Sequence, residues 1–332
     1  MNRAVNVVAA AAAGLAAVAL VLSGCSASPT SSATSSKDAE PTSIVVGTPG
    51  LLSNADVYAG VSDGLFSDVG LDVSTQTLTA GSNAVPQLLS GDLAFAIVDT
   101  TSAVSAAAQD IGIVAVATNI VGSPGEVGYG MVVAGADSGI TSPKDLEGKK
   151  VQVNQLGGTA QVLVMASVSK DGGDPSALQF VEMAPDQAIP ALQSGQLDAI
   201  VTGEPLVTMA TQLGFTPVFN LEQHTVPNLP TFVFVTSEAF ATAHPDVVEH
   251  FQSAILASNA KLNADPDLLR SVAVDSTGVS ADVLAEVAGL PLFGEAPLTA
   301  DDIQQYIDFL TKWGALDTAE VPAGADVVWS GR

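Results

Sequence analysis

Four turns in this chain carry polar side chains suited to holding a small ligand. Each follows a strand-like run and precedes a helix-like segment, where free backbone N–H groups favour an anion or a carbonyl group. The same residue types also stabilise ordinary helix N-caps. Paired glycines in the fourth turn allow the backbone to approach a ligand closely. The predicted ligand contacts in these turns are Ser53, Asn54, Ser82, Asn83, Asp99, Thr100, Thr101, Asn154, Gly157, Gly158 and Thr159.

A further candidate is Glu204, which follows the strand-like run 199–203 and precedes Pro205. A carboxylate at this place stabilises a helix N-terminus by about 0.3–1 kcal/mol. Alternatively, it accepts a hydrogen bond from a ligand at the floor of a cleft. In the second case Glu204 favours a ligand with an amine or another N–H donor.

Catalytic and metal-binding patterns are missing from the sequence. Cys25 is the only cysteine, so the chain can form neither an internal disulfide nor a cysteine cluster. The three histidines lack the spacing of metal ligands. The G-x-S-x-G match at 60–64 lies inside a helical pattern instead of the strand–turn–helix elbow that a nucleophile needs. We therefore expect no enzyme activity, no catalytic residue, no metal and no cofactor.

The charge balance restricts the partners of the chain. The formal net charge is −25, from 35 acidic and 10 basic residues. Such an excess of acid excludes nucleic acid as a partner and disfavours electrostatic binding to anionic lipid. It also keeps an exported protein soluble, and we expect a monomer.

The N-terminus has the pattern of an export signal. Arg3 precedes an apolar run over 4–22, which ends in Leu22-Ser23-Gly24-Cys25. A transmembrane helix is the alternative, but the run is mostly alanine and no basic stop signal follows. The break resembles a bacterial lipobox, whose cysteine is diacylated. We therefore predict a signal peptide over 1–24 and a lipid anchor at Cys25 on the extracytoplasmic face of the cell membrane. A flexible tether over 25–42 then has a reach of about 20–25 Å.

The remaining residues, about 290 in number, predict two α/β lobes. Strand-like and helix-like segments alternate from residue 43, which indicates βα units around mainly parallel sheets. Residues 84–97 (AVPQLLSGDLAFAI) and 188–201 (AIPALQSGQLDAIV) repeat at an offset of 104. The repeat predicts two lobes of like topology with a ligand cleft between them. We assign 43–135 and 233–332 to lobe 1 and 136–232 to lobe 2, with hinges near 135–138 and 230–233.

Several motifs together resemble the type II solute-binding proteins of the nitrate, sulfonate, taurine and thiamine-precursor group. The resemblance covers about residues 43–240. The matching stretches are Tyr58 with Asp63-Gly64-Leu65-Phe66, Gly70-Leu71-Asp72-Val73, Leu88-Leu89-Ser90-Gly91-Asp92-Leu93, the run from Ser138 through Ser142-Pro143-Lys144-Asp145-Leu146 to Val151, Ala191-Leu192-Gln193-Ser194-Gly195-Gln196-Leu197, and Glu204-Pro205.

The resemblance implies the two-lobed type II periplasmic-binding-protein fold and delivery of a small solute to the permease and ATPase of an ABC importer. It also favours ligand contact at Thr100-Thr101, at Gly157-Gly158-Thr159 and at Glu204. No arginine lies in a predicted turn, so a taurine-like zwitterion or an amino-heterocycle fits better than a bare anion. Tyr58 and Tyr129 are the nearest aromatic residues for stacking a heterocycle.

Two other functions stay open from the sequence. A fungal thiamine-pyrimidine synthase has this fold class, but it carries a cysteine-rich iron motif and a substrate-donating histidine, and this chain has a single cysteine. A lipoprotein that senses its ligand without transport is the other alternative.

Overall fold

The computed structural model describes residues 40–78, 83–316 and 321–331. The predicted signal peptide, Cys25, most of the tether, Gly81 and Ser82 lie outside the described residues. Within these ranges, no helix is both long and apolar enough to cross a membrane.

Two β-sheets form the framework of the described chain. The first has the strand order β11-β4-β10-β3-β1-β2, and the second has the order β7-β6-β8-β5-β9. The strands are β1 (Thr42–Thr48), β2 (Leu71–Thr77), β3 (Phe95–Asp99), β4 (Ile113–Val121), β5 (Gly130–Ala134), β6 (Lys150–Val153), β7 (Gln179–Glu182), β8 (Ala199–Gly203), β9 (Thr216–Asn220), β10 (Pro230–Ser237) and β11 (Leu292–Phe293).

Apart from the short edge strand β11 of the first sheet, the two sheets have the same order of parallel and antiparallel strands. In the first sheet β1 pairs in parallel with β2 and β3, and β10 runs antiparallel between β3 and β4. In the second, β6 pairs in parallel with β7 and β8, and β5 runs antiparallel between β8 and β9. The prediction of a two-lobed α/β fold is confirmed, but both sheets are mixed instead of mainly parallel, because β10 and β5 each run antiparallel to both of their neighbours. We call the first sheet with its helices lobe 1 and the second sheet with its helices lobe 2.

Helices flank both sheets. They are α1 (Ala55–Ser62), α2 (Leu65–Asp68), α3 (Ala84–Ser90), α4 (Thr100–Ala108), α5 (Thr159–Lys170), α6 (Pro185–Gln193), α7 (Leu206–Gln212), α8 (Glu238–Ala243), α9 (Pro245–Ala264), α10 (Pro266–Thr277), α11 (Ala281–Ala285), α12 (Ala300–Lys312) and α13 (Gly324–Val327). The repeated sequence forms α3–β3 in lobe 1 and α6–β8 in lobe 2, so it occupies equivalent places in the two sheets.

Local sequence signals explain how the repeat reaches the same structure twice. Pro86 and Pro190 lie in helices α3 and α6, and a glycine follows each helix. Gly91 ends α3 with a φ of 84°, and Gly195 follows α6 with a φ of 72°. A residue with a β-carbon is strained in this left-handed region, so glycine ends both helices and lets the chain enter the next strand.

The predicted lobe boundaries are wrong by several residues at both crossings. β5 already belongs to the second sheet, and β10 begins in the first sheet at Pro230, so the crossings are 122–129 and 221–229. Strand β5 is buried along its whole length. Such a run has no polar alternation that could show which of the two sheets it joins.

The two crossings lie side by side. The amide of Gly122 donates to the Leu229 carbonyl at 2.9 Å, and the amide of Asn228 donates to the Gly122 carbonyl at 2.8 Å. These paired segments are the chain's two sequence connections between the sheets in the described residues, whereas the predicted hinges at 135–138 and 230–233 lie after β5 and within β10.

Candidate functional site

A pocket of about 110 Å³ is lined by both lobes and both crossings. Its walls come from the carboxyl ends of β3 and β8, from the segment after β6, and from the ends of the two crossings. Ligands of open α/β sheets bind at this edge because the helix N-termini converge there. The polar residues of the lining are Asp99, Tyr129, Asn154, Thr159, Thr202 and Glu222, and no lysine, arginine, histidine or cysteine is among the described lining residues.

Asp99 and Thr159 join the two lobes at one side of this pocket. Asp99 ends β3 and caps α4, where its Oδ1 accepts from the Ser102 amide at 3.1 Å. The same Oδ1 accepts from the backbone amide of Thr159 at 3.1 Å and from its hydroxyl at 2.9 Å. Thr159 is the first residue of α5, so the carboxylate binds the N-terminus of a helix from the opposite lobe.

Further hydrogen bonds surround this contact. The hydroxyls of Thr101 and Thr159 lie 2.8 Å apart, and Tyr306 on α12 donates to the Thr159 hydroxyl at 3.0 Å. The Gln155 side chain donates to the Ser102 hydroxyl at 3.1 Å. We call Asp99, Thr101, Gln155, Thr159 and Tyr306 the interlobe cluster. It holds the two lobes together in the conformation of the structure.

The structure thus brings together the turn at Thr100-Thr101 and the turn at Gly157-Gly158-Thr159, both predicted to contact the ligand. Polar groups of these two turns, however, form hydrogen bonds with each other. Asp99, Asn154 and Thr159 line the pocket, whereas Thr100 and Thr101 are not among its lining residues. The Thr100 hydroxyl donates to the Pro230 carbonyl at 2.8 Å, which fixes α4 against β10. The Asn154 side chain has no hydrogen-bond partner within the described ranges.

The turn before α1 is buried away from the pocket lining. The Ser53 hydroxyl accepts from Tyr129 at 3.3 Å, and its carbonyl accepts from Asn119 at 3.0 Å. Asn54 donates to the Ser276 carbonyl at 3.5 Å. Both residues therefore support lobe 1 beneath the pocket instead of contacting it, although Leu51 immediately before them lines it.

The remaining predicted contacts in the described residues lie at the start of α3 and in the glycine turn before α5. Asn83 is exposed at the start of α3, outside the pocket lining, and Ser82 lies outside the described residues. Gly157 is exposed with a φ of 74°, and its amide donates to Gln161. Gly158 is the buried N-cap of α5, and a β-carbon there would lie 3.8 Å from Asp99 Oδ1. A β-carbon would make an ordinary van der Waals contact with this oxygen, so only a larger side chain at 158 would separate the two lobes here.

The carboxylate of Glu204 is occupied by protein groups. It accepts from the amide and the hydroxyl of Thr208, both at 3.0 Å, and the backbone carbonyl of Glu204 accepts from the Leu52 amide of lobe 1 at 3.1 Å. Burial raises the pKa of the carboxylate, and the hydrogen bonds from Thr208 oppose the rise. Glu204 is 2% exposed and is not among the pocket-lining residues. Its position is that of a helix-capping and lobe-joining residue, while the adjacent Gly203 lines the pocket.

Tyr129 forms an aromatic wall of the pocket. A β-carbon on Gly203 would lie 2.6 Å from the ring, so only glycine leaves room for the ring over the end of β8. Phe232 packs edge-on to the ring, with centroids 6.4 Å apart. Burial raises the pKa of the phenol, so Tyr129 stays neutral at physiological pH. Tyr58, the other aromatic candidate, accepts from Thr75 and is not among the lining residues.

Glu222 is a pocket carboxylate that the sequence analysis missed. It lies just after β9, is 3% exposed, and accepts from the Ser123 amide at 3.3 Å. Burial raises its pKa to about 7. The segment after β9 leads into no helix, so the sequence around Glu222 lacks the strand–turn–helix signal of the predicted contacts. An acidic residue three positions after the apolar run 217–219 is the signal that could have found it.

Comparison with known proteins agrees with this architecture. The sequence model of the NMT1/THI5-like family matches residues 53–268. The chain belongs to this family. Over 131 residues it is 28% identical to the taurine-binding periplasmic protein of Escherichia coli K12, and the match covers 39% of this chain and 40% of that protein.

Solved structures of binding proteins share the fold of this NMT1/THI5-like chain. The alkanesulfonate-binding protein SsuA from Xanthomonas axonopodis pv. citri, bound to MOPS, has a TM-score of 0.73 at 19% identity, over 88% of this chain and 99% of that one. The ligand-binding component of an ABC-type import system from Staphylococcus aureus, with zinc bound, has a TM-score of 0.74 at 17% identity, over 87% and 96%. In the described part of our chain, no group of His, Cys, Asp or Glu residues is placed to hold a metal ion.

Proposed function

We propose that this chain is a solute-binding lipoprotein that captures a small organic solute outside the cytoplasm and delivers it to the permease and ATPase of an ABC importer. The family, the shared fold and the taurine-binding relative support this proposal. The observation that carries it is a pocket whose walls come from two lobes of like topology, next to paired crossings that can act as a hinge.

The chemistry of the lining supports binding over catalysis. The described lining offers neither a histidine–nucleophile pair nor a cysteine, which are common elements of covalent and acid–base catalysis. We propose that the chain is not an enzyme and releases its solute chemically unchanged. The lipid anchor at Cys25, the monomeric state and the extracytoplasmic location belong to the same proposal and rest on the sequence.

The lining also supports a choice of ligand. Asp99, Asn154, Thr159 and Thr202 provide hydrogen-bonding groups, Tyr129 provides an aromatic face, and no cation is present among the described lining residues. A bare anion would lack a counter-charge here, so a taurine-like zwitterion or an amino-heterocycle is the proposed solute. We propose contacts from these five residues.

A thermal-shift screen of the purified mature protein tests the function. A true ligand at 100 times its dissociation constant stabilises the folded state by about 2.7 kcal/mol. We expect at least one small zwitterion or amino-heterocycle to produce such a shift, and mass spectrometry of the released solute to find it unchanged. Turnover of the solute, or no shift across sulfonates, amino acids, amines and heterocycles, would contradict the proposal.

A further inference from the structure

Glu222 occupies a fixed position where the two crossings meet. Its amide donates to the Asn220 side chain at 2.9 Å, and the Asn220 amide group donates to the carbonyls of Ser123 and Gly125 on the other crossing. A β-carbon on Gly128 would lie 2.4 Å from the Asn220 side chain, so the two segments are in close contact. Glu222 is therefore held by both connections between the lobes.

One oxygen of the Glu222 carboxylate lacks a hydrogen-bond donor. Oε2 accepts from the Ser123 amide at 3.3 Å. Oε1 lies beside Gly130 at the pocket wall, 3.5 Å from where a β-carbon of that residue would stand. No described residue donates to Oε1, and no described cation lines the pocket.

Strand β8, which pairs with β5 in the same sheet, provides a second unpaired polar group. The hydroxyl of Thr202, near the end of β8, is buried without a hydrogen-bond partner among the described residues and lines the same pocket. A carboxylate oxygen without a donor in a buried side chain, and a buried hydroxyl without a partner, both destabilise a protein. A ligand that supplied an N–H donor to the carboxylate would remove that cost when it binds.

We propose that Glu222 is the specificity-determining residue of the pocket and binds a protonated amine or an N–H edge of the solute. The solute is then a zwitterion, a cation or an amino-heterocycle whose nitrogen-bearing end reaches the crossings. This inference rests on the proposed function. It adds that Glu222 is the residue that recognises the solute and that the nitrogen-bearing end of the solute is the part recognised.

Matched pairs of solutes test the role of Glu222 by isothermal titration calorimetry. The pairs differ only in the nitrogen group: taurine with ethanesulfonate, and 4-aminopyrimidine with 4-methylpyrimidine. For wild type we expect the nitrogen-bearing member of at least one pair to bind more tightly. In Glu222→Gln this preference falls about 10- to 100-fold, the range for loss of a hydrogen bond to a charged group.

Glu126→Gln is the matched control, because it removes an exposed carboxylate from the first crossing. We expect it to change the affinity by less than about twofold, and the melting temperatures of both variants verify their folding. A second variant, Thr202→Val, should weaken the binding of both members of a pair alike, because it removes a hydroxyl that does not bind the nitrogen group.

Two results would overturn the inference while the proposed function stands. One is that wild type binds the nitrogen-bearing member of neither pair more tightly than its counterpart. The other is an undiminished preference for the amine in folded Glu222→Gln. If no solute of either pair or of the wider screen binds the wild type, the proposed function fails, and this inference fails with it.

Discussion

Thr159→Val removes the hydroxyl at the centre of the interlobe cluster while it keeps the shape of the side chain. In the structure this hydroxyl donates to Asp99 at 2.9 Å, contacts the Thr101 hydroxyl at 2.8 Å, and accepts from Tyr306 at 3.0 Å. The amide of Thr159 keeps its own hydrogen bond to Asp99 in the variant. The change therefore acts on the side-chain part of the contact between the lobes.

The magnitude follows from the hydrogen bonds that are lost. Each contributes about 1 kcal/mol net, and a buried partner left unsatisfied costs about 1–3 kcal/mol. The three partners share one hydroxyl, and some of them form other hydrogen bonds in the variant. We therefore expect the substitution to destabilise the closed arrangement of the lobes by about 2–3 kcal/mol in total. When the lobes separate, water reaches these groups, so the open form bears little of this cost. If ligand binds only the closed form, the dissociation constant rises roughly 30- to 150-fold.

Calorimetric titration with the solute found by the screen measures this effect, and thermal unfolding of the ligand-free protein provides the comparison. Thr236→Val is the matched control, because its buried hydroxyl donates to the Ala94 carbonyl at 2.7 Å within lobe 1. We expect the control to lose about 1 kcal/mol of stability with unchanged affinity. Unchanged affinity in Thr159→Val, with a stability loss like that of the control, would refute a role of the cluster in closure.

Two further predictions concern the anchor and the buried acid. Cys25→Ala should abolish incorporation of a palmitate analogue in cells, and label retained on the variant would contradict the lipid anchor. Because burial raises the pKa of Glu222 from 4.5 to about 7, the native state binds this proton more tightly than the unfolded state. The stability that this bound proton gives the native state is therefore fully present below about pH 4.5 and is lost as the pH rises through 7. The free energy of unfolding of Glu222→Gln should exceed that of wild type by up to about 3 kcal/mol at pH 8 and by much less at pH 5. The neighbouring phenols of Tyr129 and Tyr306 do not titrate in this range, because burial raises their pKa values. Urea unfolding at the two pH values measures the difference, and an equal gap at both would contradict a protonated carboxyl at low pH.

The topology could be predicted because it is encoded locally and twice. The repeated segments place a proline in a helix, a glycine after it and a buried strand beyond, and each signal acts within a few residues. The boundary between the lobes is different. Strand β5 is apolar throughout, and which sheet it joins depends on pairing with β8 and β9, which are distant in sequence.

The pocket was predictable in part for the same reason. Asp99, Asn154 and Thr159 follow strands whose carboxyl ends meet at one edge, so their place at the cleft follows from the topology. The partners of a polar side chain are not encoded locally. Sequence alone could not show that Asp99 and Thr159 bind each other, that Thr208 occupies the Glu204 carboxylate, or that Glu222 reaches the pocket.

We propose that the two lobes close on the solute, and small-angle X-ray scattering with and without saturating solute measures this closure. We predict a smaller radius of gyration with solute for wild type. In Gly158→Trp the radius should not change and binding should be lost, because an indole at the N-cap of α5 would occupy the space beside Asp99 where the lobes meet. A radius that stays the same at saturation in wild type, together with normal binding by Gly158→Trp, would rule out closure of the lobes on the solute.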